Sequence, residues 1–183
     1  PDTLMRKLKN SELNRLSLED FKIATKIPLI IVLDNIRSLN NIGSVFRTAD
    51  AFLIEKIFLC GISAQPPHRD IQKTALGSTD SVEWEYVEKS LNCVQDLQNR
   101  GYNCIAVEQA ENSISLTSYE HSSIGKIALV FGNEVRGVQQ NVLDICDKCI
   151  EIPQLGTKHS LNISVSAGII MWDFFKRYQN IKA

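Results

Sequence analysis

The sequence predicts an α/β fold with a mostly parallel sheet flanked by helices, and three patterns support this prediction. Short apolar runs of strand length alternate with runs whose apolar residues recur every three or four positions. Residues 28–33 are an almost unbroken run of Leu, Ile and Val, which is typical of a strand covered on both faces. Gly, Asn and Ser follow several runs directly, as expected where strand ends line a pocket.

The N-terminal part begins with a short predicted helix. Ser17 followed by Asp20 is the pattern of a capping box, which places this helix near Phe21. The first strand is followed by a second helix, which Asn40 or Asn41 is placed to cap. The apolar residues of this helix recur at helical spacing, at Ile42, Val45, Phe46, Ala49 and Phe52.

The middle of the chain continues the alternation. Strands are predicted at residues 56–60, 82–86 and 103–107. Two prolines, Gly77 and several polar residues predict a loop over residues 66–81, with a pair of helical turns at 71–76. A helix is predicted at 91–100 and should end at Gly101.

The last third carries two further strands, at residues 127–131 and 149–152. Each is followed at once by small and polar residues, namely Gly132-Asn133-Glu134, Gly137, Pro153 and Gly156. Ser160-Leu161-Asn162 then opens an amphipathic run that carries Val165, Ile169, Trp172 and Phe175.

Polar residues also follow two earlier strands. The carboxyl ends of parallel strands meet at one edge of a sheet, where ligands bind. We therefore expect four strand ends to line one crevice, namely Asp34-Asn35, Glu108-Gln109, Gly132-Asn133-Glu134 and Ile152-Pro153.

Composition limits the class of protein. A chain of 183 residues with 44% hydrophobic and 22% charged residues suits one compact domain. No apolar run approaches the roughly 20 residues that span a bilayer, and no signal peptide is recognisable, so we expect a cytoplasmic protein without a membrane partner. Five cysteines, an odd number in apolar surroundings, predict reduced thiols.

Common nucleotide and metal motifs are incomplete. The glycines of residues 132–137 have P-loop spacing, but Val138 and Gln139 stand where Lys and Ser or Thr are required. No G-x-G-x-x-G turn follows an early strand. Cys146 and Cys149 lack the second ligand pair of a structural zinc site, so no metal is expected. The histidines are interpreted as surface or loop residues, at His68, His121 and His159.

One combination of motifs is specific. Asn41-x-Gly43-x-x-x-Arg47, Gly132-Asn133-Glu134-x-x-Gly137, Ile152-Pro153 and Ser160-Leu161-Asn162 resemble, in order and spacing, the motifs of the SpoU (TrmH-like) family of RNA 2′-O-ribose methyltransferases. The resemblance spans residues 28–175. It implies a SPOUT fold with a C-terminal trefoil knot, S-adenosylmethionine as cofactor, a homodimer, and tRNA or rRNA rather than DNA as the substrate.

The resemblance also assigns residues. Its catalytic positions fall on Arg47, Asn41, Glu134, Ser160 and Asn162. Its cofactor positions, including the segment after the fourth predicted strand, fall on Gly132, Asn133, Gly137, Ile152, Leu161, Glu108, Gln109 and Ala110. Arginine rarely loses its proton in a protein, so we expect Arg47 to grip a phosphate and stabilise the developing alkoxide rather than act as a base. The polar N-terminus of the Arg47 helix is also a ready anion site.

RNA contacts must be local, because the net charge is −1. Residues 1–27 are interpreted as a short, partly basic helical extension of a domain at 28–183. The basic residues expected to bind RNA are Arg6, Lys7, Lys9, Arg15, Arg69 and Lys73. Two alternatives stay open: a non-catalytic RNA-binding or ribosome-assembly protein with the same fold, and a small-molecule binder that uses the strand-end crevice.

Overall fold

A computed structural model describes residues 5–120 and 125–182. Its centre is a seven-stranded sheet in which every pair of neighbouring strands is parallel, in the order β3-β2-β1-β6-β4-β7-β5. The strands are β1 Ile27–Asp34, β2 Ile54–Cys60, β3 Trp84–Val87, β4 Asn103–Val107, β5 Ile114–Ser115, β6 Ile127–Phe131 and β7 Lys148–Glu151. The predicted fold class is therefore confirmed, while the trefoil knot stays a prediction.

Helices cover both faces of the sheet. They are α1 Leu18–Ile23, α2 Leu39–Ala51, α3 Arg69–Ala75, α4 Ser78–Ser81, α5 Ser90–Asn99, α6 Gln140–Leu143 and α7 Ile163–Lys182, with a 3₁₀ turn at Asn10–Glu12. Strand β1 alternates between two cores, since Ile31 and Leu33 pack with α2 and α7, whereas Ile30 and Val32 pack with α5 and α6. Burial on both faces explains its unbroken apolar sequence.

Two strands match the prediction residue for residue, β4 and β6. The pair of helical turns predicted within the loop at 66–81 is present as α3, and the loop also contains α4, which was not predicted. Polar side chains supply local hydrogen bonds there. His68 Nδ1 accepts a hydrogen bond from Asp70 N at 3.1 Å, and Gln72 Nε2 donates to Thr79 Oγ1 at 2.9 Å. The strand predicted at 82–86 begins two residues later.

The prediction that Asn40 or Asn41 caps α2 is wrong. Ser38 is the N-cap, and its hydroxyl oxygen accepts a hydrogen bond from Asn41 N at 3.3 Å. By contrast, the predicted Ser17 cap of α1 is confirmed, with Asp20 N donating to the Ser17 hydroxyl at 3.0 Å. Asn41 is already inside the first turn of α2, which frees its side chain for other contacts.

The amphipathic run at the C-terminus is a helix, but most of its predicted apolar stripe faces outward. Val165, Ile169 and Trp172 are 49%, 38% and 53% exposed, respectively. The buried residues of α7 lie on another side, at Ile163, Ala167, Ile170, Met171 and Phe174. Helix α7 therefore carries apolar residues on two sides, one buried in the core and one exposed.

Other expectations concern the ends of the chain and its cysteines. Residues 1–4 and His121 lie outside the described residues. All five cysteines are free thiols. Across residues 5–120 and 125–182, no helix is both long and apolar enough to cross a bilayer.

Candidate functional site

A cavity of about 1130 Å³ opens at the carboxyl edge of the sheet. Three strand ends line it, those of β4, β6 and β7, together with the segment that leads into α7. All eight predicted cofactor residues contribute to the lining, namely Glu108, Gln109, Ala110, Gly132, Asn133, Gly137, Ile152 and Leu161. Of the predicted catalytic residues, Glu134, Ser160 and Asn162 line it as well.

The fourth predicted strand end, that of β1, does not line this cavity. Asp34 is fully buried and accepts hydrogen bonds from Gln139 N at 2.9 Å, Gln139 Nε2 at 2.7 Å, Asn35 Nδ2 at 2.8 Å and the Ser90 hydroxyl. Its carboxylate is therefore committed to joining β1 to the chain before α6. The expectation of four strand ends in one crevice is wrong on this point.

A tight hairpin forms one wall of the cavity. Asn133 N donates to Gly137 O at 3.0 Å and Gly137 N donates back to Asn133 O at 2.8 Å. Gly137 has a φ of +67°, and a Cβ there would overlap the Glu108 carboxylate. A Cβ on Gly132 would overlap the backbone of Gly137 and Val138. Both glycines are thus required by close approach within the protein, and they shape the cavity indirectly.

Two side chains after β4 brace the walls. Glu108 accepts hydrogen bonds from Val138 N at 3.0 Å and Gln109 N at 2.8 Å, which fixes the hairpin to β4. Gln109 Nε2 donates to His159 O at 2.6 Å, which fixes the segment before α7 to the same strand end. The cavity is therefore held open by hydrogen bonds between its walls.

A chain of polar contacts joins motif residues that lie far apart in sequence. Glu134 accepts hydrogen bonds from Arg37 N at 3.0 Å and Ser38 N at 2.9 Å, and from Asn41 Nδ2 at 3.3 Å. Asn162 Nδ2 in turn donates to Asn41 Oδ1 at 3.2 Å. The three motifs meet at the N-termini of α2 and α7, beside the cavity.

The N-terminus of α2 is consequently not a free anion site, contrary to expectation. The Glu134 carboxylate occupies the position that a bound anion would take. Gly43 lets α2 approach α3, because a Cβ there would overlap Thr74 Oγ1 and Ile71 O.

These contacts shift the ionisation of Glu134. Burial raises its pKa, but hydrogen bonds from the backbone of Arg37 and Ser38 and from the Asn41 amide outweigh that effect and hold the pKa below its usual range. Glu134 is therefore a carboxylate at neutral pH, suited to holding α2 in place.

We expect replacement of Glu134 by Gln to lower the free energy of unfolding by about 1 kcal/mol at pH 7, because one charge-assisted acceptor is lost. A depressed pKa stabilises the folded state above the unfolded pKa of about 4.3, and the effect is lost as pH falls through the folded pKa. Urea denaturation at pH 7 and pH 3 should thus show a smaller difference between wild type and Glu134→Gln at pH 3 than at pH 7. Glu88→Gln removes an exposed carboxylate from another edge and should change stability at neither pH. An equal difference at both pH values would contradict the role of the charge.

The lining of the cavity is acidic. Its carboxylates are Glu108, Glu111, Glu134, Asp144 and Glu151, whereas its permanent cations are Arg136 and Lys148. A cavity with this excess of negative charge favours a ligand that carries positive charge.

The predicted residue Arg47 lies outside this cavity. It is exposed on α2, and within the described parts of the chain its side chain has no hydrogen bond or ion pair. The contacts between α2 and α7 extend along both helices, from Asn41 and Asn162 at one end to Phe52 at the other, whose ring lies 5.7 Å from that of Trp172. Arg47 is thus displayed on the outside of a helix pair that also exposes apolar residues.

Two of the six predicted RNA-binding residues form ion pairs within the chain. Arg6 is paired with Glu12 at 2.6 Å and Lys73 with Asp70 at 2.6 Å. The other four are exposed, at Lys7, Lys9, Arg15 and Arg69.

Several cavity residues were missed from sequence. Arg136 lies inside the 132–137 motif, and its position between Glu134 and Gly137 could have indicated it. Cys146 and Cys149 also line the cavity. Burial raises the pKa of Cys146 to about 12 and also raises the pKa of Cys149, so both are protonated thiols at neutral pH. Across the described ranges 5–120 and 125–182, no group of three or more metal-ligating side chains occurs.

Comparison with known proteins agrees with the motifs. A sequence profile of the SpoU rRNA Methylase family matches residues 28–172. A tRNA (guanosine(18)-2′-O)-methyltransferase from Aquifex aeolicus is 33% identical over 149 residues, which cover 79% of this chain and 67% of that protein. The chain spans 60% to 67% of the length of the curated relatives it matches.

Solved structures share the fold. The TrmH/SpoU tRNA modifying enzyme of A. aeolicus superposes with a TM-score of 0.80 at 25% identity, covering 90% of this chain and 82% of that one. An AdoMet-bound rRNA methyltransferase from Sinorhizobium meliloti superposes with a TM-score of 0.77 at 23% identity, covering 84% of this chain and 57% of that one.

Proposed function

The chain belongs to the SpoU rRNA Methylase family, and from that premise we propose that it transfers a methyl group from S-adenosylmethionine to a ribose 2′-hydroxyl of structured RNA, either tRNA or rRNA. The observation that carries this proposal is the meeting of three motifs beside one acidic cavity, through the contacts among Glu134, Asn41 and Asn162. A relative that methylates a guanosine 2′-oxygen of tRNA supports the proposed reaction.

The cavity fits the proposed cofactor. S-adenosylmethionine, when bound, supplies an electrophilic methyl group on a positively charged sulfur. The carboxylates of the lining favour that charge, and apolar Ile152 and Leu161 offer faces for a purine ring. Gly132 and Gly137 keep the hairpin compact so that its backbone can form the wall of the site. The solved relative from S. meliloti contains AdoMet, which supports this assignment.

The residues around the cavity have distinct proposed roles. Glu134 and Asn162 hold Asn41 and the start of α2, which fixes the direction of that helix and therefore of Arg47. Arg47 binds the phosphate beside the target ribose and stabilises negative charge on the attacking oxygen, since a guanidinium remains protonated. Ser160, at the cavity mouth, orients the ribose. Correct positioning of the hydroxyl supplies most of the rate enhancement in this proposal.

We also propose that the protein acts as a homodimer. The exposed stripe of Val165, Ile169 and Trp172 lies on the helix pair that displays Arg47, and a second copy packed there would remove the stripe from water. Such packing would bring Arg47 to the cavity of the facing subunit. Sedimentation velocity should give a dimer at micromolar concentration, and a monomer would contradict the proposal. We further propose that the chain consists of one domain at 28–183 with a short extension at 1–27. The remaining proposals are a cytoplasmic location and a C-terminal trefoil knot.

The reaction can be tested in two steps. Calorimetric titration with S-adenosylmethionine should give one site per chain, and tritiated methyl groups should then be transferred to unmodified tRNA or rRNA. The labelled linkage should resist alkali, because a methylated 2′-oxygen cannot attack the neighbouring phosphate. Absence of cofactor binding would contradict the proposal that the protein is a methyltransferase. Cofactor and RNA binding without transfer would instead favour a non-catalytic RNA-binding protein.

A further inference from the structure

Four exposed side chains surround the segment that follows β1, and the function above does not use them. They are Arg37, Ile62, Val135 and Arg136, which we call the arginine rim. Ile62 is 64% exposed and Val135 is 80% exposed, so both present aliphatic surface to a partner. Val135 and Arg136 also line the cavity, so the rim lies at its mouth.

Hydrogen bonds to the segment after β1 fix the backbone of the rim. Asn35, with a φ of +58°, accepts a hydrogen bond from Ile62 N at its side-chain oxygen, at 3.0 Å. Its carbonyl oxygen accepts one from Asn133 Nδ2 at 2.7 Å, which attaches the hairpin. Ser63 adds a second attachment, since its hydroxyl accepts from Ile36 N at 2.8 Å and donates to Leu33 O at 3.1 Å. Two loops, the one after β2 and the hairpin after β6, are thereby fixed to the segment after β1.

The hairpin side of the rim is equally constrained. Asn133 Oδ1 accepts hydrogen bonds from Val135 N at 3.0 Å and Arg136 N at 3.1 Å. Glu134 binds Arg37 N, so the backbones of Arg37 and Arg136 are linked through the hairpin. The positions from which these four side chains project are therefore fixed before any partner arrives, which reduces the entropy lost on binding.

The two arginines are available for a partner. Within residues 5–120 and 125–182, neither guanidinium of Arg37 and Arg136 has a hydrogen bond or ion pair, whereas Arg6 and Lys73 are paired with carboxylates. Two free guanidinium groups flanked by exposed aliphatic side chains offer charge for phosphates and apolar surface for the faces of bases.

We infer that the arginine rim binds the RNA next to the target nucleotide, with Arg37 and Arg136 on its phosphates and Ile62 and Val135 against a base. This inference rests on the proposed function, because it assumes an RNA substrate at this edge of the sheet. It moves the main RNA contact from the N-terminal basic residues to the mouth of the cavity.

The test measures RNA and cofactor affinity separately. Binding of labelled bulk tRNA and deproteinised rRNA is followed at several salt concentrations, and S-adenosylmethionine affinity is measured by calorimetry. Arg37→Ala and Arg136→Ala should each weaken RNA binding about 3- to 10-fold and lower the salt slope by about 1. Ile62→Ser and Val135→Ser should weaken binding about 5-fold without changing the salt slope. Cofactor affinity should stay within about 2-fold in every variant.

Two matched controls lie away from the rim. Arg100→Ala removes an exposed arginine just before the amino end of β4, which differs from the rim arginines in pairing with Asp96 at 3.4 Å. Ile181→Ser removes an exposed aliphatic residue near the end of α7. Neither should change RNA affinity or the salt slope.

The outcomes separate the inference from the proposed function. If wild type binds RNA and the Arg37→Ala/Arg136→Ala double variant binds equally well, the inference is wrong and the proposed function stands. If the wild-type protein binds neither tRNA nor rRNA, the proposed function itself is wrong. A loss of cofactor affinity in Arg136→Ala would assign that arginine to the cofactor, and conversion of a dimer to monomers by Ile62→Ser or Val135→Ser would assign the rim to a second copy. Each of these last two results would overturn the inference.

Discussion

Replacement of Arg47 by Ala should lower the rate of methyl transfer by about a thousand-fold and leave S-adenosylmethionine affinity unchanged. Removal of one group that stabilises a developing oxyanion typically costs 10²–10³ in rate, roughly 3–4 kcal/mol, and Arg47 is also proposed to position the phosphate. Cofactor affinity should not change, because Arg47 does not line the cavity of its own chain and is proposed to contact the RNA rather than the cofactor. Folding should not change either, since its side chain is exposed.

Arg47→Lys separates charge from geometry. Lysine keeps the positive charge but loses the paired donors of the guanidinium, so we expect a loss of about 10- to 100-fold. Single-turnover assays with saturating RNA measure the chemical step, and Arg100→Ala serves as the matched control on an exposed helix end. A near-normal rate for Arg47→Lys would show that charge alone suffices, and a near-normal rate for Arg47→Ala would exclude the residue from the reaction.

A mixing experiment tests whether Arg47 acts across the dimer. Two single variants are mixed in equal amounts and allowed to exchange subunits: Arg47→Ala and Leu161→Asp. The second variant places a carboxylate against the proposed purine position in the cavity. If Arg47 serves the facing subunit, each mixed dimer has one complete and one doubly defective site, and a statistical mixture should recover about a quarter of wild-type activity. If Arg47 serves its own subunit, every site carries one defect and activity should not recover.

The second large effect is expected at Gly132. In Gly132→Ala the new methyl group would overlap the backbone nitrogen of Val138 and the carbonyl carbon of Gly137. Neither atom can move without opening the hairpin, so we expect unfolding to become easier by about 1–3 kcal/mol. S-adenosylmethionine affinity should fall about 100-fold, or roughly 2.7 kcal/mol, because the hairpin forms a cavity wall. Urea denaturation and calorimetry measure the two effects.

Gly156→Ala is the matched control for that experiment. Gly156 is exposed in the segment between β7 and α7, and a Cβ there would have no neighbour within 4 Å. Its replacement should change stability by no more than about 0.5 kcal/mol. Wild-type cofactor affinity in Gly132→Ala would contradict the view that close packing at this glycine shapes the cavity.

Elements with strong local patterns were predictable. Strands β1, β4 and β6 lie at the centre of the sheet and are covered on both faces, so their sequences are continuous apolar runs with sharp polar ends. Gly101 ends its helix as expected, with a φ of +84°. The short edge strand β5, which is two residues long, has no such pattern, since it is defined by pairing with β7.

Two predictions were wrong because the side chain concerned could take either of two hydrogen-bonding roles. Asn41 is a good capping residue, but Ser38 caps α2 and Asn41 turns toward Glu134 and Asn162 instead. Asp34 follows a strand as ligand-binding carboxylates do, yet it is buried among donors from Ser90 and Gln139. Spacing along the chain gives no information about which partner lies nearest in space.

The sequence by itself predicted the parallel α/β class, because apolar runs become strands and small residues mark their ends. Its resemblance to the family motifs assigned eight of the residues that line the cavity after β4, β6 and β7. The tertiary structure alone decided that Glu134 occupies the N-terminus of α2, that Arg47 stands outside the cavity, and that the stripe on α7 faces outward. Some of these features depend on contacts between residues nearly a hundred or more positions apart, and the others depend on which side of a helix the core covers. Local periodicity in the sequence predicts neither the distant contacts nor the covered side.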